Sequence, residues 1–277
     1  MKRTIWILAL VVVLLAACGQ SSNQDNGKHG GHNEHGAGHD SGEGAMKAED
    51  VKVSFSFPDG NPQSEQDTKL RIQVETSDGS PIEDFDISHE KKLHLIVVNK
   101  DLSYFNHIHP EPKAEGAFEI MTRFPAGGEY KLFADFVPTG AAAMTKSEWI
   151  KVEGEAAAAV PIQPDDNLTK SVDGKEVTLS EEQFTAGEEA TLTFTIKDGK
   201  TKDPITNLQQ YLGAVGHVVI LTEDAEQYLH VHPMEEKATG PDAVFMTTFP
   251  KSGVYKIWGQ FQHENNVFTV PFVIQVP

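Results

Sequence analysis

Apolar and polar residues alternate along much of the chain after residue 49. The alternation is clearest at residues 51–57, 70–74 and 192–196, where every second side chain is apolar. A period of two places alternate side chains on opposite faces of a strand, so these segments are predicted to be half-buried β-strands. Short strands between Asp-Gly and Pro turn signals, without a convincing amphipathic helix, predict an all-β fold of immunoglobulin-like antiparallel β-sandwiches.

The strand pattern occurs twice. Leu-His-Leu-Ile-Val-Val at 93–98 and His-Ile-His-Pro at 107–110 are matched by Gly-His-Val-Val-Ile-Leu at 216–221 and His-Val-His-Pro at 230–233, which lie 123 positions later. Further on, Met-Thr-x-Phe-Pro and Gly-x-Tyr-Lys recur 125 positions apart. We therefore predict two tandem sandwich domains, at 49–153 and 173–277. Residues 154–172, rich in Ala, Pro and Asp, are predicted to be a linker.

The first residues have the layout of a bacterial export signal. Lys2 and Arg3 precede an apolar run at residues 5–15, and Leu-Ala-Ala-Cys ends at Cys18. This run is too short for a stable membrane-spanning helix of about 20 residues. We predict a signal peptide at 1–17, lipidation of Cys18, and attachment to the extracytoplasmic side of the cell membrane through that lipid. An ordinary signal peptide with a cysteine there by chance is the alternative.

Residues 18–48 are predicted to form a disordered tether, because they contain too few apolar side chains to offset the entropy of ordering a backbone. Four histidines spaced mainly by glycine lie within it: His29, His32, His35 and His39. Such a composition is typical of weak metal capture, so these residues are predicted to be auxiliary metal ligands. The alternative is a soluble spacer.

Composition excludes some functions. Cys18 is the only cysteine, so the folded part has no disulfide and depends on its hydrophobic core. The 41 acidic residues outnumber the 23 basic ones, giving a formal net charge of -18. Nucleic acid is therefore not expected as a partner, since phosphate binding needs clustered Lys and Arg.

The repeated histidines form the main candidate site. In each domain one histidine precedes a His-x-His pair by thirteen residues, with a polar turn between. A hairpin centred on residues 100–101 or 223–224 would pair 94 with 107 and 217 with 230, on one sheet face. Three neutral imidazoles on one face suit copper or zinc. The predicted ligands are His94, His107 and His109 in the first domain, and His217, His230 and His232 in the second.

Two further histidines complete this prediction. His263 is expected to be a fourth donor in the second domain, where the first domain carries Pro138. His89 has no counterpart in the other repeat and is predicted to lie on the surface. The alternative for the whole set is that the histidines are structural and bond to backbone carbonyls or acids.

The lipidated N-terminus, the His-rich tether and the paired His-x-His-Pro motifs resemble those of bacterial lipoproteins with YtkA-like domains and, more loosely, CopC-type periplasmic copper carriers. This resemblance covers both domains and implies extracytoplasmic metal handling, most often of copper, without catalysis. One departure is that CopC-type carriers use an N-terminal histidine of the mature chain, whereas the mature chain here would begin at Cys18. The site geometry of those carriers is therefore not transferred.

An enzyme is not expected. His-x-His on a sandwich also resembles copper/zinc superoxide dismutases, but those need a second metal with a bridging histidine and usually a disulfide. The sequence contains neither His-Glu-x-x-His nor Gly-x-Ser-x-Gly. We predict a membrane-anchored protein that binds copper, or else zinc, with the membrane and a membrane metal transporter or oxidase as partners. The alternative is a non-catalytic interaction module of the cell envelope.

Overall fold

The computed structural model describes residues 46–180 and 184–277. The predicted signal peptide, the lipidated Cys18 and the four tether histidines, His29, His32, His35 and His39, lie outside the described residues. In the described part of the chain, no helix is long and apolar enough to cross a membrane.

The first repeat is a two-sheet antiparallel sandwich that follows a 3-10 turn at Ala48–Asp50. One sheet has the order β1-β2-β7-β6, and the other has the order β3-β8-β4-β5 with β9 also paired to β8. The strands are β1 (Val51–Ser56), β2 (Asp67–Thr76), β3 (Phe85–Asp86), β4 (Leu93–Asn99), β5 (Phe105–Ile108), β6 (Glu111–Pro112), β7 (Ala117–Arg123), β8 (Gly128–Pro138) and β9 (Met144–Val152).

The second repeat has a similar arrangement. One sheet has the order β10-β11-β12-β16-β15 and the other β14-β13-β17-β18. The strands are β10 (Thr169–Val172), β11 (Lys175–Leu179), β12 (Glu189–Asp198), β13 (His217–Thr222), β14 (Tyr228–Leu229), β15 (His232–Pro233), β16 (Asp242–Thr248), β17 (Gly253–His263) and β18 (Asn266–Val276). The prediction of two immunoglobulin-like all-β domains is confirmed.

Each sandwich has its own core, built from the alternating residues that the sequence pattern indicated. Leu70, Ile72 and Val74 are fully buried in the first, as are their counterparts at 192, 194 and 196 in the second. Both cores also contain a tyrosine corner, as in many immunoglobulin-like domains. The Tyr130 hydroxyl donates to the Ala126 carbonyl at 2.9 Å, and the Tyr255 hydroxyl donates to the Lys251 carbonyl at 2.7 Å.

The segment between the sandwiches differs from the predicted linker in one respect. Thr169–Val172 forms β10, so the second sandwich begins inside the range 154–172. The remaining segment is attached to both sandwiches, since the Val160 amide donates to Asp101 Oδ2 and the Val273 amide donates to Asp165 Oδ2, each at 2.8 Å. These bonds restrict how far the two sandwiches can separate.

An apolar interface joins the two sandwiches. β4 and β13 are buried on both faces, with one face toward their own core and the other toward the opposite repeat. This second apolar cluster consists of Ile96, Val98, Leu102 and Phe133 from the first repeat, and Val219, Leu221, Ala225 and Trp258 from the second. The two sets are equivalent positions, offset by 123 or 125 residues. Both repeats therefore bury the same face, as in an isologous dimer interface.

One ion pair crosses this interface at its edge. Lys131 Nζ lies 2.8 Å from a Glu226 carboxylate oxygen, and the Lys131 side chain is 4% exposed whereas that of Glu226 is 58% exposed. Trp149 Nε1 donates to the other carboxylate oxygen at 3.2 Å, and the ammonium lies 5.2 Å from the Trp149 ring centroid. Glu226 is thus the counter-charge of a buried ammonium.

Substitution of Glu226 with glutamine should destabilise the protein by about 2 kcal/mol, because it leaves the buried Lys131 ammonium without a counter-charge. The substitution Lys131→Met should cost less, since Glu226 can then remain hydrated. Urea unfolding at neutral pH measures both losses. Equal losses for the two variants would contradict this asymmetry.

Candidate metal centre

Five histidines meet at one end of the interface, and they come from both repeats. They occupy a turn before β4, the strands β4 and β5, the residue that follows β5, and the start of β13. Neighbouring imidazole centroids are 4.7 to 6.1 Å apart. We call this set the interface cluster; its members are His89, His94, His107, His109 and His217. Four belong to the first repeat and one to the second.

The hairpin of β4 and β5 brings two of these histidines together, with a register that differs from the predicted one. His107 pairs with Ile96, whereas the sequence-based hairpin paired it with His94. The loop is longer because the amide of Tyr104 bonds the side chain of Asn99 and Leu102 adopts a left-handed conformation with φ 54°. A shift of two residues preserves the face, since side chains alternate with period two. His94 and His107 therefore still share a face.

Hydrogen bonds determine which ring nitrogens of His94 and His107 carry lone pairs. His94 Nε2 donates to the Ser88 carbonyl at 2.9 Å, which leaves Nδ1 unprotonated in the neutral ring. His107 Nδ1 lies 2.7 Å from Gln260 Oε1, while Gln260 Nε2 donates to Thr269 Oγ1 at 3.0 Å. His107 Nδ1 is then the donor, which leaves its Nε2 unprotonated.

These two unprotonated nitrogens face each other. His94 Nδ1 and His107 Nε2 are 3.0 Å apart. Two lone pairs at this distance repel unless a cation lies between or beside them. Ligand nitrogens on a tetrahedral zinc ion, with bonds of about 2.0–2.1 Å, are about 3.3 Å apart. The observed spacing is therefore close to that of two ligands of one metal ion.

A ring nitrogen of His217 lies close to this pair. One nitrogen each from His94, His107 and His217 lies within 4.8 Å of the other two. The Nε2 atoms of His109 and His217 are buried and have no hydrogen-bond partner within residues 46–180 and 184–277. A buried polar atom without a partner costs about 1–3 kcal/mol, and a bound metal ion would remove that cost. The three nitrogens of His94, His107 and His217 can bind one ion, and His109 Nε2 lies outside this group.

Burial keeps these imidazoles neutral. Burial, reinforced by His94, lowers the pKa of His107 to about 3, and the same two causes lower the pKa of His109 to about 4. Burial also lowers the pKa of His217 well below its ordinary value, and that of His94 less strongly. Neutral imidazole is the form that binds metals, so the lone pairs are available at physiological pH.

Two groups beyond the ligands hold them in position. Ser88 fixes His94 through its carbonyl, and Gln260 of the second repeat fixes His107 of the first. Gln260 pairs with His217 in the sheet, just as Asp135 pairs with His94 at the equivalent place in the first repeat. Asp135 therefore lies next to His94 in the sheet, and its carboxylate acts against the lowering of the His94 pKa that burial causes. Such bonds to the second ring nitrogen are typical of metal-binding histidines.

The histidines of the second repeat do not form the predicted second patch. β14 has the same register as β5 but ends at Leu229, so His230 lies beyond the strand. His232 belongs to β15, which pairs with β16 in the other sheet, opposite Met246. Both histidines are exposed. Of the described residues, only His94, His107 and His217 have three such ligand atoms within 4.8 Å of each other.

His263 is also separate from the interface cluster. It lies three residues beyond Gln260 on β17, an odd number, so its side chain is on the opposite face of the strand from that of Gln260. Its Nε2 bonds to Asn207 Oδ1 at 3.1 Å in an exposed position. The prediction that His263 completes a site with His217 is therefore wrong.

His89 was predicted to lie on the surface with no part in the site, whereas the structure places it half-buried beside the other cluster histidines. Its ring centroid lies 5.4 Å from that of His217 and 6.1 Å from that of His94. It lacks a counterpart in the second repeat, so the repeat comparison could not identify it. A detectable signal was the short spacing from His94, with polar turn residues between.

Comparisons with known proteins identify the family and several solved structures of low sequence identity. FdeC, an adhesin of Escherichia coli, is 15% identical with a TM-score of 0.29; the match covers 84% of this chain and 66% of that one. The Yersinia pseudotuberculosis adhesin InvE is 12% identical with a TM-score of 0.27, covering 84% and 61%. A two-domain fibronectin type III segment of chicken tenascin is 12% identical with a TM-score of 0.23, covering 82% and 98%.

This chain spans less than two thirds of the length of either adhesin structure. No curated protein matches the chain. A family profile described as a domain of unknown function, DUF8832, matches residues 46–154 and again residues 170–277. These ranges lie within three residues of the domains predicted at 49–153 and 173–277. With two copies of that domain accounting for most of its length, the chain belongs to the DUF8832 family.

Proposed function

We propose that this protein binds one transition metal ion per chain at the interface cluster. The observation that carries the proposal is the pair of lone pairs 3.0 Å apart on His94 Nδ1 and His107 Nε2. His217 supplies the third donor. A site of this kind differs from the two separate sites expected from the sequence, because its ligands come from both repeats.

Copper is the metal we propose, with zinc as the other candidate. Imidazole suits both ions, and for a given set of nitrogen ligands the stability of divalent complexes rises toward copper and falls again at zinc. The net charge of -18 and the carboxylate of Asp135 offset the cost of bringing a cation into a largely buried site. No general base or nucleophile is required, so the proposed role is metal handling without catalysis.

The proposed cellular location rests on the N-terminal sequence. A lipid on Cys18 would hold the protein on the outer side of the cell membrane, and the tether histidines would capture ions near it. A membrane metal transporter or oxidase is then the proposed partner, in line with the resemblance to YtkA-like lipoproteins.

A second candidate is a non-catalytic interaction module of the cell envelope. The observation that favours it is that the interface is complete without metal: four pairs of apolar residues and the Lys131–Glu226 ion pair already join the sandwiches. The histidines would then be structural, and the immunoglobulin-like domains would present a binding surface to another envelope component.

Calorimetric titration of residues 46–277 with Cu(II), and separately with Zn(II), distinguishes the two functions. We expect one equivalent of Cu(II) at micromolar affinity or tighter, because the cluster provides one set of ligands. The variant His263→Ala is the matched control and should bind equally well, since His263 lies outside the cluster. Failure to bind either metal would favour the interaction module, and two equivalents would indicate a separate site in each repeat.

A further inference from the structure

Gln260 joins the second repeat to a proposed ligand of the first. It is 5% exposed, and its Oε1 accepts the bond from His107 Nδ1 at 2.7 Å. Thr269, on the neighbouring strand β18, accepts a bond from Gln260 Nε2 at 3.0 Å. An amide has a donor end and an acceptor end, so the bond to Thr269 fixes which end faces His107. The buried amide is thus oriented on one side and orients the imidazole on the other.

The packing of the two sandwiches places this amide. Trp258, two residues before Gln260 on β17, stacks on Phe105 with a centroid distance of 4.7 Å and an interplanar angle of 18°. Phe105 is in turn two residues before His107 on β5. Side chains two residues apart share a face of a strand, so the aromatic stack and the amide–imidazole bond form one continuous contact between β17 and β5. The tautomer that presents His107 Nε2 to a metal ion therefore depends on the packed arrangement of the two repeats.

The first repeat carries a carboxylate where the second carries this amide. Asp135 lies 125 positions before Gln260, and each pairs in its sheet with the first histidine of the repeated motif. Asp135 Oδ1 accepts a bond from the Thr145 hydroxyl at 2.9 Å, the reverse of the bond from Gln260 to Thr269. The fold therefore accommodates an acid or an amide here. The equivalent of His107 is His230, which lies beyond the end of β14, so it is the amide that meets a cluster histidine across the interface.

An uncharged acceptor has a specific effect on the ligand that it orients. A carboxylate that accepts the second N–H of a metal-binding histidine raises the basicity of that ligand and strengthens its bond to the metal. Hydrogen bonds to an ionised acceptor are also about twice as strong as those between neutral groups. A buried carboxylate would moreover lack a counter-charge whenever the ion leaves. The amide of Gln260 has none of these effects, so it positions His107 without holding the ion more tightly.

We infer that Gln260 is a positioning residue of the metal centre, and that its uncharged amide keeps the bound ion exchangeable. The inference rests on the proposed function and adds to it that the site releases its ion to a partner and does not retain it as a structural ion. Only metal–ligand bonds form and break during binding and release. His107 keeps its Nδ1 proton throughout, and the oxidation state of the ion does not change.

Substitutions at position 260 test the two parts of this inference separately. In residues 46–277, calorimetry measures the affinity for Cu(II), and stopped-flow mixing with excess EDTA measures the rate of release. Gln260→Met removes the acceptor at similar volume and should lower the affinity about 10–100-fold. Gln260→Glu keeps the acceptor and adds a charge, so it should raise the affinity and slow release, each by about tenfold or more. Gln262→Glu is the matched control: it adds the same charge two residues along β17 and should change either quantity less than about threefold.

Thr269→Val provides a second test of positioning if Gln260→Met fails to fold. Without the threonine hydroxyl, the amide is free to rotate and to turn its donor end toward His107 Nδ1, so the affinity should fall. An unchanged affinity in this variant would overturn the positioning role.

The results at position 260 separate the inference from the proposed function. Normal affinity and release in both Gln260 variants would overturn the inference and leave the proposed function standing. A loss of affinity in Gln260→Glu as large as that in Gln260→Met would make Gln260 a structural residue and would also overturn it. A loss in Gln260→Met without a gain in Gln260→Glu would support positioning and overturn the effect of charge on exchange. If the unsubstituted protein binds no metal, the proposed function itself fails, and the inference fails with it.

Discussion

Replacing His217 with alanine should lower the affinity for Cu(II) at least 100-fold. His217 is the one histidine that the second repeat contributes to the interface cluster. His217 Nε2 is buried without a partner, and the same side chain forms the third member of the group with His94 and His107. Substitutions of groups that merely orient a ligand typically cost 10–100-fold in metal affinity, so loss of a direct ligand should cost more. Calorimetry at neutral pH measures the loss.

The matched control is the double variant His230→Ala and His232→Ala, which removes two histidines from the same repeat. Its equilibrium affinity should change less than threefold, because both side chains are exposed and lie outside the group of three. The opposite result, a large loss in this variant and none in His217→Ala, would mean that each repeat binds metal by itself. That result would support the two separate sites, one in each repeat, that were predicted from the sequence.

Binding of Cu(II) should persist at pH 5, with a much smaller loss of affinity relative to pH 7 than three ordinary imidazoles would give. An imidazole with the ordinary pKa of about 6.5 is about 97% protonated at pH 5, and three such ligands together would weaken binding by about 10⁴-fold. Burial lowers the pKa of His107 to about 3, that of His94 below its ordinary value and that of His217 further still. Protons therefore compete with the metal at lower pH than usual.

A peptide of residues 28–40 is the control, because histidines in a short peptide keep ordinary pKa values and should lose metal steeply below pH 6.5. A loss of 10³-fold or more in the folded protein would contradict the prediction.

Folding must be monitored as well, because the stability of the metal-free protein also depends on pH. His107 becomes protonated below about pH 6.5 in the unfolded chain but only near pH 3 in the folded protein. Between these pH values, the free energy of unfolding of the metal-free protein therefore falls by up to about 1.4 kcal/mol per pH unit for such a group.

The fold was largely predictable from local pattern. Alternation of period two placed Leu70, Ile72 and Val74 in the core, and the repeat offset of 123–125 residues gave two similar sandwiches. The sheet face of these histidines was also predictable. The predicted register of the β4–β5 hairpin was wrong by two residues, and a shift of two leaves His94 and His107 on the same face. These features depend on sequence-local rules of strand geometry.

The location of the site was not predictable in the same way, because it depends on how the two sandwiches pack together. One signal was present: residues 93–98 form an almost unbroken apolar run, which indicates a strand buried on both faces. That run predicts a partner surface but not its identity. The early end of β14 depends on tertiary pairing of His232 with Met246, so no repeat comparison could show that the second His-x-His pair leaves the sheet.

The interface built from equivalent residues of the two repeats also bears on how such a site can originate. Two separate copies of one repeat could make the same contact across a two-fold axis, since isologous surfaces are self-complementary. In such a dimer every histidine would occur in symmetry-related pairs, and both would have the same exposure. Joining the copies in one polypeptide lifts that restriction, so that one copy can keep its His-x-His pair at the contact while the other turns its pair toward solvent. Duplication followed by fusion is thus sufficient to make a symmetric contact asymmetric, with one His-x-His pair at the contact and the other facing solvent.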